Sequence, residues 1–382
     1  MGVNSERGPG QREPSADMQL QSESRALWLG LTCTLLGIVV GLIAFSSYRP
    51  GLAGTGSVAI YASVVAALAA TAGSVLGYLT VLVRTQDWLL ALSRYRQFLN
   101  AFALMIIHAA ISAMAALITF RIFQDAFRGL TVDRYAASLM VGVCAGIAGY
   151  VALVSAARVT AQSLAALLAI FMATGVFISM LAAENPYWWH SMFSSLGTRD
   201  SGLTSFWTFN VTLVVSGLVL STLTAFIVRN VALLAVMNDR FADVLGKPRA
   251  RFIRPRPGVV RACLLGLGIC VVSIGLVPVN VAPTMHAFIV RFAAGIIVVL
   301  LLGATLWLPG FPWVFHLLSF FCFLGLVGAA LLWQPLEYYN LTAFELAVVG
   351  IVFGWLIVFI RTTAAALAVK TEELSDVLAA HQ

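Results

Sequence analysis

A histidine and two serines in one short polar segment are the first group whose residue types and spacing could do chemistry. His190 stands four and five residues before Ser194 and Ser195, and Asp200 follows in the same segment. A histidine that activates a serine hydroxyl, with an aspartate orienting the imidazole, is the arrangement of many hydrolases. The segment lacks the Gly-x-Ser-x-Gly elbow that presents the serine in one large hydrolase class, so the pattern is a weak indication of catalysis.

Four further polar residues fall inside or at the edge of long apolar segments. They are Asn210, His286, Arg291 and Glu345. Ionisable side chains in such segments usually face a protein interior or a water-filled cavity. We therefore expect these four to line one outward-facing polar pocket with His190, Ser194 and Ser195, in which Arg291 contacts an anionic headgroup. Because Arg291 and Glu345 lie at similar depth, we also expect them to pair, either to serve a ligand or only to fix helix register.

The elements that must position these groups are apolar helices, because the composition excludes an ordinary soluble domain. Of the 382 residues, 60% are hydrophobic and 10% are charged, which leaves too little polar surface to meet water. Apolar segments of about 20 residues follow one another with short polar gaps, and a helix of that length crosses about 30 Å of hydrocarbon. We predict an all-α fold, a polytopic transmembrane helix bundle of about ten spans.

The predicted spans divide into four in an N-terminal unit, residues 26–157, and six in a C-terminal unit, residues 158–361. Residues 1–25 are polar and are predicted to form a disordered cytoplasmic tail, and residues 362–382 form a cytoplasmic C-terminal tail. The predicted spans are residues 26–47, 58–82, 99–122, 135–156, 159–183, 205–228, 259–277, 284–307, 311–333 and 341–360.

Lysine and arginine are unevenly distributed between the polar gaps, which predicts an orientation. Residues 229–258 hold seven of them, and strongly basic gaps are retained in the cytoplasm. With ten spans, both termini are then cytoplasmic and His190 lies outside, in a bacterial cytoplasmic membrane. The basic gap is either a linker that fixes topology and contacts anionic headgroups, or a site for a protein partner. Its first half has near-helical spacing and either extends the sixth span or lies in the interface.

Composition and motifs argue against several other partners. The net charge of +7 does not indicate a nucleic-acid partner, because no basic stripe is interleaved with aromatic residues. The five cysteines lie in apolar segments without a Cys-x-x-Cys pair, so we predict neither a metal site nor a disulfide framework. The sequence contains no Walker A motif, dinucleotide-binding glycine loop or His-Glu-x-x-His motif, and no cofactor is predicted.

Glycine pairs at four-residue spacing recur in the predicted spans. Missing side chains at such positions allow two helices to approach closely, so the pairs predict packing and not activity. The pairs are Gly37/Gly41, Gly73/Gly77, Gly142/Gly146 and Gly350/Gly354.

Three segments of the C-terminal unit carry a resemblance to a known family. They are residues 190–197 (HSMFSSLG), 209–217 (FNVTLVVSG) and 275–295 (GLVPVNVAPTMHAFIVRFAAG). They supply, in order, an outer Ser-x-Leu-Gly, a Phe-Asn entering a span, and a Gly-x-x-Pro turn before a histidine that heads a span. This half of the chain resembles a bacterial membrane family of unknown function related to the eukaryotic FRAG, DRAM and yeast Sfk six-span proteins. The resemblance implies an association with lipid, although the four N-terminal spans and the long basic gap depart from the pattern.

The expected function is the binding or handling of a membrane lipid or a lipid-linked envelope precursor at the outward-facing pocket. One alternative is a lipid-modifying transferase or hydrolase that uses His190 or His286 as its base. Another is a transporter or permease component that contacts a partner ATPase through the basic gap. The residues favour a non-catalytic role over an enzyme and leave the oligomeric state open.

Overall fold

The computed structural model describes residues 16–82, 90, 93–244 and 254–380, and its fold is all-α. Within those residues ten helices are long and apolar enough to cross a membrane, which confirms the predicted polytopic helix bundle. The helices are α1 (Ala16–Ala44), α2 (Val58–Gly77), α3 (Arg94–Ala126), α4 (Arg134–Ala157), α5 (Ala161–Leu181), α6 (Leu203–Val244), α7 (Pro257–Leu276), α8 (Pro283–Trp307), α9 (Trp313–Trp333) and α10 (Leu341–Ala380).

Internal contacts divide the chain into two compact units, Met1–Val159 and Thr160–Gln382. In the first unit, α4 packs against both α1 and α2, and α2 also packs against α3. In the second unit, α6 packs against α5, α7 and α10, while α8 contacts α7 and α9. Helix α9 also packs against α10. All the residues that the sequence singles out for chemistry, from His190 to Glu345, belong to the second unit.

Glycines allow the helices of the first unit to approach closely. An added Cβ at Gly73 on α2 would lie 2.4 Å from the carbonyl oxygen of Gly149 on α4. Three of the four predicted glycine pairs lie at helix contacts of this kind: Gly37/Gly41, Gly73/Gly77 and Gly142/Gly146. At Gly350 and Gly354 on α10, an added Cβ would meet no atom of the described residues within 4 Å beyond its own helix turn. The fourth pair therefore makes no close contact there.

Helix α1 begins at Ala16, well before the predicted first span. Residues 16–25 are therefore helical and the prediction of a disordered tail is wrong for them, while residues 1–15 lie outside the described residues. The extension is tied to α4, because the hydroxyl of Tyr150 donates to the carboxylate of Glu23. A polar segment that continues an existing helix needs no new nucleation, so its polarity does not prevent helix formation.

Two helices of the second unit continue beyond the length of a span. Helix α6 runs through residues 229–244, so the first half of the basic gap extends the sixth span, one of the two expected alternatives. Residues 245–253 of that gap lie outside the described part of the chain. Helix α10 runs to Ala380, so the segment predicted as a C-terminal tail is helical from residue 362 to residue 380.

The two extensions lie side by side. The Nζ atom of Lys370 on α10 is 4.0 Å from the centroid of the Phe241 ring on α6, a distance typical of a cation–π contact. The hydroxyl of Thr371 on α10 is 3.5 Å from the sulfur of Met237 on α6. We call residues 229–244 and 362–380 together the stalk.

Candidate functional site at the loop between α5 and α6

The connection between α5 and α6, residues 182–202, is folded into three 3-10 turns, and we call it the loop cap. The turns are Trp188–His190, Phe193–Gly197 and Arg199–Ser201. Its ends are joined, because the amide of Glu184 donates to the carbonyl oxygen of Ser201 at 3.0 Å. Its middle is closed by the hydroxyls of Thr198 and Ser201, which donate to the carbonyl oxygen of Ser195 at 2.7 and 2.8 Å. The loop cap is therefore a compact loop and not an extended connector.

The underside of the loop cap is apolar and packs on α6. Phe193 and Leu196 are buried and form a cluster with Phe209, whose ring centroid is 5.2 Å from that of Phe193. Leu196 lies three positions after Phe193, which is one turn of a 3-10 helix, so both side chains leave the turn on the same face. Burying each side chain contributes about 1.5–3 kcal/mol relative to exposure in water. This apolar contact fixes the loop cap against the end of the span.

Two polar side chains of α6 bind backbone carbonyl groups of the loop cap, and a serine of α5 supports one of them. Asn210 is buried in α6, and its amide nitrogen donates to the carbonyl oxygen of Gly197 at 2.9 Å. The hydroxyl of Ser205, also on α6, donates to the carbonyl oxygen of Leu196 at 3.0 Å. The hydroxyl of Ser179 on α5 is hydrogen-bonded to the hydroxyl of Ser205, at a distance of 2.9 Å. The predicted site residue Asn210 is therefore bound to the loop cap.

The carboxylate of Glu345, one turn into α10, is bound by the backbone of the loop cap. The amides of Phe193 and Ser194 donate to one carboxylate oxygen at 2.5 and 3.3 Å, and the Ser194 hydroxyl donates to the other at 3.3 Å. In addition, the side chain of Asn340 donates to the carbonyl oxygen of Trp189 at 2.9 Å. Three donors thus replace the water that a carboxylate loses inside a span. The loop cap is held by α5, α6 and α10 together.

The predicted pair between Arg291 and Glu345 is wrong. Glu345 binds the loop cap, whereas Arg291 lies exposed on α8, which packs against α7 and α9. Among the described residues, no carboxylate oxygen lies within 4 Å of the Arg291 guanidinium. Depth along two spans can be read from the sequence, but it does not give the direction in which each side chain leaves its helix. That direction separates these two residues.

His286, the other predicted residue of α8, binds the end of α7. Its ring is buried, and its Nδ1 lies 2.7 Å from the carbonyl oxygen of Val277, so the imidazole closes the turn between the two helices. Helix α7 in turn approaches α6 at Gly275, where an added Cβ would lie 2.7 Å from the carbonyl oxygen of Asn210. The predicted residues in the loop cap or bound to it are His190, Ser194, Ser195, Asn210 and Glu345. His286 and Arg291 lie apart from them on α8.

The serines and the histidine of the loop cap are not arranged as a catalytic triad. The Ser194 hydroxyl donates to Glu345, and the Ser195 hydroxyl lies 3.5 Å from the carbonyl oxygen of Trp188. Neither donates to His190, whose ring is exposed between two aromatic side chains. Its centroid lies 3.9 Å from that of Trp189 and 5.7 Å from that of Tyr187. The geometry needed for an activated hydroxyl is therefore not formed.

Three residues that hold the loop cap were not predicted from the sequence: Ser179, Ser205 and Asn340. A signal exists for Asn340, because its side chain accepts the amide of Ala343 at 2.9 Å at the start of α10. Asparagine is favoured at this N-cap position, and the pattern can be recognised before an apolar run. The two serines lie in or beside apolar runs, and their pairing depends on the antiparallel approach of α5 and α6.

Comparisons with known proteins do not identify the chain. No protein-family model, curated protein or solved structure matches it. The resemblance to the FRAG, DRAM and Sfk proteins therefore stays a prediction. In the described part of the chain, no three His, Cys, Asp or Glu side chains are grouped as ligands of a metal ion would be.

Proposed function

We propose that this multi-pass membrane protein binds the headgroup of a membrane lipid, or of a lipid-linked envelope precursor, at the exposed face of the loop cap. One observation carries the proposal: exposed rings stand together on a loop that three spans hold in place. These rings are Tyr187, Trp189 and His190, and we call them the ring cluster. Tyr187 is 66% exposed and Trp189 is 48% exposed.

The ring cluster has the chemistry of the headgroup layer. Tyrosine and tryptophan combine an apolar ring with a polar hydrogen-bond donor, and both are enriched where hydrocarbon meets headgroups. The imidazole of His190 adds a donor that suits a phosphate or carboxylate oxygen. Leu181 and Leu203, at the ends of the two spans that flank the loop cap, are 80% and 62% exposed, as expected of lipid-facing side chains.

Rigidity of the loop cap supports a binding role. Its exposed face is built on a backbone whose carbonyl and amide groups are bound by Asn210, Ser205, Glu345 and Asn340. A surface that is ordered before binding loses less conformational entropy when a ligand arrives. A flexible connector between two spans would not need ties to three helices.

The position of the loop cap supports an outer-leaflet ligand. The basic residues of the gap between α6 and α7 favour the cytoplasm, and in that orientation the loop cap faces the outer side of the membrane. The resemblance to the FRAG, DRAM and Sfk proteins points to lipid in the same way. Arg291, exposed on α8, is a second candidate contact for an anionic headgroup, but it lies on another face of the second unit.

Native mass spectrometry of the protein purified in mild detergent tests the proposal. Wild type should retain a defined lipid, and a Trp189→Ala/His190→Ala double variant should lose it. Tyr338→Ala is the matched control, because Tyr338 is 79% exposed in the α9–α10 connection but is not part of the loop cap. A separate Arg291→Ala variant shows whether lipid retention depends on Arg291 or on the ring cluster. Identical lipid mixtures on wild type and the double variant would refute the proposal.

A further inference from the structure

A second polar feature lies at the end of the second unit opposite the loop cap, where α7 begins. There α6, the start of α7 and the three residues before α7 line a half-open cavity of about 300 Å³. The residues that line it are Ala235, Asp239, Arg254, Pro255, Arg256, Pro257, Gly258 and Val259. None of them belongs to the loop cap or to the set of site residues predicted from the sequence.

Neither arginine of this cavity has an acidic partner among the described residues. No carboxylate of the described residues lies within 4 Å of Arg254 or Arg256, although Asp239 lines the same cavity. The Nε atom of Arg256 is buried and has no hydrogen-bond acceptor among the described residues. A buried donor of a charged group without an acceptor is costly. Two arginines and one carboxylate line the cavity, so its ionisable side chains carry a net positive charge.

The start of α7 adds a positive field to the same place. Pro257 is the first residue of this 20-residue helix, and the helix macrodipole places partial positive charge at its N-terminus. Gly258 lines the cavity, and an added Cβ there would meet no atom of the described residues within 4 Å beyond its own helix turn, so the backbone is accessible. Anions bind such helix starts, and arginine forks match the oxygen geometry of phosphate.

The depth of the cavity matches the headgroup layer. The amide of Arg256 donates to the carbonyl oxygen of Trp307 at 3.3 Å, so the cavity lies beside the end of α8. Tryptophan at the end of a span is typical of the membrane–water interface. A phosphate group at this level is available from an anionic lipid or from solution.

We propose that the Arg254–Arg256 cavity binds a phosphate group, with the Arg256 guanidinium as the main contact and Arg254 at the rim. The charge and shape of the cavity suit a phosphodiester of a lipid headgroup and a free phosphate ion alike. This site is independent of the loop cap and lies at the other end of the second unit.

A titration of the delipidated full-length protein in detergent tests the site. The two probes are a short-chain phosphatidylglycerol, followed by native mass spectrometry, and inorganic phosphate, followed by the melting temperature. Arg256→Ala should raise the Kd for the effective probe by about tenfold or more, because a charged hydrogen-bonded contact is lost. Arg361→Ala, which removes an exposed arginine of α10 outside the cavity, should leave the Kd unchanged.

Each outcome supports or overturns the site. A response to phosphatidylglycerol alone identifies a lipid headgroup as the ligand, and a response to inorganic phosphate identifies a soluble source. Equal binding by wild type and Arg256→Ala, or equal losses in Arg256→Ala and Arg361→Ala, would overturn the proposal. If Arg256→Ala does not fold, Arg254→Ala and Arg256→Lys replace it, and unchanged Kd values in both would also overturn it. Lipid binding at the ring cluster is tested by its own variants, so a negative result at one site does not overturn the proposal for the other.

Discussion

Replacement of Glu345 by glutamine should open the loop cap without disturbing the spans. The carboxylate accepts the amides of Phe193 and Ser194 through one oxygen and the Ser194 hydroxyl through the other. Glutamine has nearly the same shape but only one accepting oxygen and no charge. The Ser194 hydroxyl must then reverse to accept from the glutamine NH2 group or lose this partner, and the hydrogen bonds from the two amides change from charged to neutral.

The expected magnitude follows from the number and type of these bonds. A hydrogen bond to a charged group contributes about 1.5–3 kcal/mol, and a neutral one contributes about 0.5–1.5 kcal/mol. A net loss of about 2 kcal/mol corresponds to about a 30-fold larger population of the open loop cap, since each 1.4 kcal/mol is a factor of ten. The apolar contact of Phe193 with Phe209 does not depend on Glu345, so α5 and α6 should remain helical.

Amide hydrogen exchange measures this opening directly. The amides of Phe193 and Ser194 should exchange about 30-fold faster in Glu345→Gln than in wild type, because local opening exposes both. The matched control is Glu337→Gln, which changes an exposed carboxylate in the α9–α10 connection and should leave both amides protected. Unchanged exchange in Glu345→Gln would refute the role of this carboxylate as the tie between α10 and the loop cap.

Two further predictions concern the first unit and its control on α10. Gly73→Ala should lower the free energy of unfolding in detergent by about 1–3 kcal/mol, because the methyl group of the new alanine would lie 2.4 Å from a carbonyl oxygen of α4. The control Gly354→Ala should leave the stability unchanged. Similar melting temperatures for both variants would contradict the close approach of α2 and α4. The carboxylate of Asp133 accepts hydrogen bonds from the amides of Ala136 and Tyr135, and these bonds lower the pKa of its carboxyl. The N-cap contact of Asp133 therefore stabilises α4 fully above about pH 4, the range of the unfolded carboxyl. This stabilisation is lost as the pH falls through the lowered pKa. Exchange of these two amides, corrected for intrinsic rates, should accelerate over that acidic range in wild type but not in Asp133→Asn; a flat wild-type profile would refute this.

The spans could be predicted because the bilayer constrains the backbone so strongly. In hydrocarbon every backbone amide and carbonyl must be paired, so a long apolar run is helical whatever its neighbours are. Glycine pairs such as Gly73/Gly77 could be recognised for a related reason, because close helix approach needs missing side chains. The same spacing at Gly350/Gly354 shows that the pattern is necessary for packing but not sufficient.

The arrangement of the site could not be predicted from depth alone. Glu345 and Arg291 lie at comparable depth, yet the rotation of each helix directs one side chain to the loop cap and leaves the other exposed. The partners of Glu345 are backbone amides, which carry no residue-specific signal in the sequence. The fold of the loop cap also depends on contacts between residues far apart in the chain, such as Asn340 with Trp189.

Helix α10 connects the two faces of the membrane as a single rod. Its 40 residues measure about 60 Å at 1.5 Å per residue, about twice the thickness of the hydrocarbon. Glu345 stands near one tip, and the stalk, stiffened by its pairing with α6, forms the other. One continuous helix therefore carries both the carboxylate that holds the loop cap and, near its other end, the lysine that contacts Phe241 of α6.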